Sequence, residues 1–121
     1  MTKNHTGYRF EAMPEVPAGL SDGARKHWDE LLPIIFELAT ARPADIPALV
    51  MLCEMRADVD ALQDTIRTQG ITTEAGSGGK KAHPAMRSLE ATRRQVLSLL
   101  DQFGLLAESF PNKRPKYSSH N

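Results

Sequence analysis

Half-cystine chemistry is almost missing from this sequence, which has a single cysteine, Cys53, in 121 residues. One thiol cannot close an internal disulfide, and the usage suits a reducing cytosol. Cys53 sits in an apolar helical stretch and reads as a plain core residue. No apolar run approaches the roughly 18–20 residues that a membrane span needs. Met1 to Phe10 is polar and lacks the apolar stretch of a secretory signal. His5, His27, His83 and His120 are scattered over different segments, none at an HxxxH spacing, and no CxxC accompanies them. No serine stands in a GxSxG elbow. Gly76-Ser77-Gly78-Gly79-Lys80 invites a phosphate-loop reading, but Lys81 stands where Ser or Thr should follow the lysine. These gaps remove metal, nucleophilic and nucleotide chemistry from the expectations. We expect no catalytic residues, no metal and no cofactor.

The chain is 40% apolar and 25% charged, close to an ordinary globular domain, so a packed core is expected. A monomer of this size buries only about two-thirds of its unfolded surface, and self-association would add to that. Net charge is zero, with 15 Lys/Arg against 15 Asp/Glu, but the signs are segregated. Residues 1–79 hold 7 Lys/Arg and 12 Asp/Glu, whereas residues 80–121 hold 8 and 3. Either the segregation only decorates solvated helix faces, or it marks a basic face for phosphates or a head-to-tail contact between subunits.

Three regions follow from the punctuation: an N-terminal arm at 1–20, a helical domain at 21–106 and a basic tail at 107–121. The arm contains Gly7, Pro14, Pro17 and Gly19 without apolar periodicity and reads as extended or mobile. Ser21 is a good N-cap, and Ala24, Trp28, Leu31, Leu32, Ile35 and Leu38 then recur at helical spacing. Pro33 inside that stripe predicts a kink or break near Leu32. Arg42-Pro43 ends the element, and Ala44 or Asp45 opens a second helix that stops at Gly70, a residue suited to a left-handed cap. Along it Leu52, Met55, Val59, Leu62 and Ile66 form one stripe. Ile46, Leu49 or Val50, Cys53 and Ala57 form another. Two stripes need two neighbours, and we expect the first to serve as an oligomer interface.

Residues 71–82 form either a short β-hairpin or a loop, with Ile71 to Thr73 facing Lys80 to Ala82. His83 and Pro84 open a third helix, with Ala85, Leu89, Thr92, Val96, Leu99 or Leu100 and Phe103 on its apolar face and Gly104 as its stop. The fold class expected is therefore mainly α, three main helices in a hairpin or bundle, assembling as an oligomer. Glu54, Asp58, Asp60 and Asp64 line the second helix and read as solvated, with no second acidic cluster to complete a two-metal site. Phosphate contacts are expected from Lys80, Lys81, Arg87 and Arg94, and in the tail from Lys113, Arg114 and Lys116, beside Tyr117 and His120. Lys80, Lys81 and Arg87 gather at a helix N-terminus, which itself favours phosphate oxygens. Arg93 lies on or beside the apolar stripe and could serve DNA or an interface ion pair.

The ordered set Leu20, Ala24, Trp28, Pro33, Asp45, Cys53, Gly70, Lys81, His83, Pro84, Phe103, Gly104 and Leu105 resembles a family of small terminase subunits from tailed bacteriophages and prophages. The resemblance runs over about residues 17–106. It implies a ring of identical subunits in the cytoplasm of the bacterial host. Such a ring would bind viral double-stranded DNA at the packaging initiation site and hand it to the large subunit, which holds the ATPase and nuclease. It also implies no catalytic site. The residues alone leave two other readings open: a dimeric helical DNA-binding regulator with its cations on one recognition helix, and a structural adaptor without DNA affinity.

Overall fold

The computed structural model describes residues 10–70, 72–74 and 80–106. The expectations placed on Lys113, Arg114, Lys116, Tyr117 and His120 lie outside them. Helix α1 spans Asp22–Leu38, a 3-10 turn spans Pro43–Asp45, and helix α2 spans Ile46–Gln69. Strands β1 (Thr72–Glu74) and β2 (Lys80–Ala82) follow, then helix α3 (Pro84–Gln102). The strands pair antiparallel with Thr72 opposite Ala82 and Glu74 opposite Lys80, so the hairpin alternative holds at 71–82.

Each helix ends where local chemistry satisfies its loose backbone groups. The Ser21 hydroxyl accepts from the Ala24 N–H at 3.1 Å and caps α1. At the other end Ala39 takes the left-handed conformation (φ 57°), and the Ala39 and Thr40 amides turn back onto the Phe36 and Ile35 carbonyls. Gly104 (φ 72°) does the same for α3: its N–H donates to Asp101, and the Leu105 N–H donates to Leu100 at 2.8 Å. Gly70 stops α2 as expected, but with φ 92° and ψ 162° it is not a left-handed cap. Its extended ψ feeds the chain directly into β1.

Pro33 does not break α1, contrary to expectation, and the helix runs unbroken through it. The proline ring is exposed, so the ladder bond it forgoes lies on the solvent side. Leu31, Leu32 and Ile35 are buried around it and hold both halves of the helix to the core. Leu38, placed on the apolar stripe by its spacing, is 40% exposed because the chain reverses at Ala39.

Both α1 and α3 pack on α2. One core joins Trp28, Leu32 and Ile35 of α1, Leu49, Leu52 and Cys53 of α2, and Val96, Leu100 and Phe103 of α3. Residues 10–20 form neither helix nor strand, and Phe10, Val16 and Leu20 lie against this core. Each large side chain so enclosed contributes about 1.5–3 kcal/mol relative to exposure. The core is confined to one end of α2: its fully buried residues are Leu49, Leu52 and Cys53, all in the first third of the helix. Beyond it Met55, Val59, Leu62 and Ile66 are only half-buried. The result is a three-helix bundle with a thinner stalk, formed by the rest of α2, the β-hairpin and the start of α3.

Candidate DNA-binding stalk and subunit groove

Two polar contacts seat α1 on α2, and both centre on buried or capped groups. Glu54 accepts from the Ser21 amide at 3.0 Å and the Ser21 hydroxyl at 2.9 Å, placing a carboxylate at the positive end of α1. Gly23 lies beside Ala57, and a methyl group added there would stand 3.1 Å from the Ala57 Cβ, so the backbones approach closely. One turn on, His27 is 6% exposed and paired at both nitrogens. Its Nδ1 accepts from Arg56 Nε at 3.1 Å, so Nε2 carries the proton and donates to Asp60 at 2.7 Å. His27 is therefore a positioning residue in the packing of α1. Asp60 is engaged by it, and Asp64 pairs with Arg67 at 2.7 Å, so with Glu54 three of the expected solvated carboxylates have partners.

Beside this network a groove of about 450 Å³ opens where α1 and α3 flank α2. Val59, Val96, Leu97 and Leu100 supply its aliphatic walls. Arg56 and Arg93 stand in it from opposite helices, α2 and α3. Among the described residues neither guanidinium has a carboxylate partner. The sequence reading placed Arg93 beside the apolar stripe, which is where it lies, but it missed Arg56. The available signal was that Arg56 is the lone cation between Pro43 and Ile66, in an acidic stretch.

Of the expected phosphate-binding residues, Lys80, Lys81 and Arg87 fall in the stalk and Arg94 sits midway along α3, next to the bundle. Lys80 and Lys81 lie on β2, and Arg87 and Arg94 lie seven residues apart on α3, hence on one face of it. Lys81, Arg87 and Arg94 are exposed and have no ion-pair partner among the described residues. The helix N-terminus beside them is not a vacant anion site, however. His83 is buried, its Nδ1 accepts from the Ala85 N–H at 3.0 Å, and the Met86 N–H donates to the His83 carbonyl. Pro84 has no N–H to offer. The His83 Nε2–H in turn donates to Gln69 at 2.7 Å and ties the two ends of the stalk together. Any phosphate contact here falls on the side chains.

The expected interface stripe divides in the structure. Leu52 is 0% exposed within its own subunit and belongs to the core, because α1 and α3 already flank that part of α2. Met55, Val59, Leu62 and Ile66 keep part of their surface in solvent.

A family model described as "Phage terminase, small subunit" matches residues 24–109. The chain belongs to this family. No curated protein and no solved structure matches it. The residues that carried the resemblance to small terminase subunits mostly shape this fold. Ala24, Trp28 and Cys53 fill the core, Asp45 accepts from the Arg42 amide at the turn, and Gly70 turns α2 into β1. His83 caps α3, and Phe103-Gly104-Leu105 closes it. Among the described residues no group of three His, Cys, Asp or Glu side chains is placed to hold a metal ion. Nor, among the described residues, is any helix long and apolar enough to cross a membrane.

Proposed function

We propose that this small terminase subunit binds viral double-stranded DNA at the packaging initiation site through its stalk and presents it to the large subunit. The observation that carries this reading is the set of exposed cations Lys81, Arg87 and Arg94, unpaired among the described residues, running from β2 along one face of α3. Exposed cations without carboxylate partners remain available to phosphate oxygens. Lys80 on β2 extends the set, and Lys113, Arg114 and Lys116 of the tail add to it. Each contact is weak and salt-sensitive, but a duplex held by several copies sums them.

The subunit acts as a homo-oligomeric ring in the cytoplasm of the bacterial host, without a catalytic centre of its own. The half-buried seam Met55, Val59, Leu62 and Ile66 supports assembly, since a stalk two helices thick leaves one side of that seam to be covered by a neighbour. A repeated head-to-tail interface closes into a ring when its rotation allows. Native mass spectrometry of the full chain, followed by duplex binding across a salt series, tests the reading. A single closed multimer whose DNA affinity falls steeply with salt is expected. A persistent monomer or dimer, or an assembly indifferent to DNA, would contradict it.

A further inference from the structure

We infer that the groove beside His27 receives the N-terminal arm of a second copy of this chain, with Arg56 and Arg93 engaging Glu11 and Glu15 and with Met13 entering between the aliphatic walls. The inference rests on the assembly proposed above and names the contact that would build it.

The groove has a definite chemistry. Its walls are aliphatic, and Leu97 at its mouth is 39% exposed. Arg56 spends its Nε–H on His27, and the described residues provide its terminal nitrogens with no carboxylate. Asp60 also lines the groove, but its Oδ2 is held by His27. An occupant must therefore bring negative charge to two guanidiniums and an apolar side chain to the space between them. A volume of about 450 Å³ admits a few side chains and not a duplex, and the aliphatic walls favour an occupant that brings an apolar side chain with its negative charge.

The arm of this same chain presents that pattern. Residues 10–20 form neither helix nor strand, with a bend at Glu11-Ala12 and a turn at Ala18-Gly19. Phe10 and Val16 rest on their own subunit's core, while Glu11, Met13 and Glu15 are exposed. Met13 is 45% exposed, among the most exposed large apolar side chains of the described residues. Two exposed carboxylates with an exposed methionine between them complement a groove that offers two guanidiniums and aliphatic walls. Arm and groove are different surfaces, so the contact is heterologous and propagates from copy to copy. The contact would set Glu11 and Glu15 of one copy against the cations of the next.

The test uses the full-length chain. Arg93→Glu alone and Glu11→Arg with Glu15→Arg each should weaken assembly roughly tenfold or more by native mass or light scattering, and the combined variant should recover it. Arg93 and the two glutamates are exposed, so circular dichroism should show folded subunits in every case. A second variant, Met13→Cys with Leu97→Cys, should give a ladder of covalent multimers on oxidation, since Cys53 is buried and does not compete. An intact assembly that stays monomeric on denaturing gels after oxidation would overturn the inference while leaving the ring standing. So would an Arg93→Glu assembly of unchanged mass that has lost DNA affinity, which would assign the groove to DNA. A monomeric wild type would remove the assembly and this contact together.

Discussion

The two ends of α2 are built on different terms. Near its N-terminus Leu49, Leu52 and Cys53 are enclosed between α1 and α3, and among the described residues no buried side-chain nitrogen or oxygen lacks a partner. Towards Gln69 the same helix has no fully buried residue, and His83 with Gln69 and a short strand pair tie its end to α3. Periodicity is equally regular along both halves. What separates them is the number of neighbours: two in the bundle and one in the stalk. Stability therefore concentrates in the bundle, and surface left over for other molecules concentrates in the stalk and the adjoining groove.

Truncations should expose this difference most strongly. Leu52→Ala in the bundle is expected to cost about 2–5 kcal/mol by denaturant unfolding, because a cavity opens in a closed core. Leu62→Ala in the stalk should cost about 1 kcal/mol in the dilute chain. Equal costs would mean that the stalk is as enclosed as the bundle.

Alkaline pH gives a second probe of the bundle. Burial pushes the Cys53 thiol from 9.0 to about 11, partly offset by the nearby Arg56 charge, with Glu54 adding slightly to the rise. The folded thiol stays protonated where the unfolded one has ionised, so the unfolded state binds fewer protons and stability falls as pH rises from about 9 to 11. The loss should reach about 2–3 kcal/mol. Its measure is the difference in the pH dependence of unfolding between wild type and Cys53→Ala.

Smaller effects come from the helix ends and from Pro33. Pro33→Ala should restore a ladder bond on the exposed face of α1 and stabilise by about 1–2 kcal/mol in the same assay. His83→Ala should cost about 1 kcal/mol through the lost cap. Hydrogen exchange should then quicken at the start of α3 and leave the protection of Leu49 and Leu52 unchanged. Ala39→Gly should add about 0.5–1 kcal/mol, because φ of 57° is strained for alanine and free for glycine.

Much of this division was legible from residue spacing. Ser21, Gly70, His83-Pro84 and Gly104 mark helix ends by chemistry that acts within a few residues, and the structure places ends at each of them. Both stripes of α2 were also readable. Their allocation was not, since a period says which residues share a face but not how many neighbours cover it. Leu52 accordingly moved from interface to core. Pro33 misled because its local penalty is outweighed by Leu31, Leu32 and Ile35, whose burial depends on the whole bundle. The anion site expected at the start of α3 failed because His83 turns its own ring onto the free amide. The groove was hidden because α1, α2 and α3 each contribute to it, and no single stretch of sequence displays Arg56 beside Arg93.

The central claim is that the stalk, and not the bundle, carries the phosphate contacts. Its most direct test is duplex affinity against salt for wild type and for the triple variant Lys81→Ala, Arg87→Ala, Arg94→Ala. All three side chains are exposed, so the fold should survive. The account predicts weaker binding and a log–log salt slope shallower by roughly one for each phosphate contact removed. An unchanged affinity with an unchanged slope would contradict it and place the DNA elsewhere on the molecule.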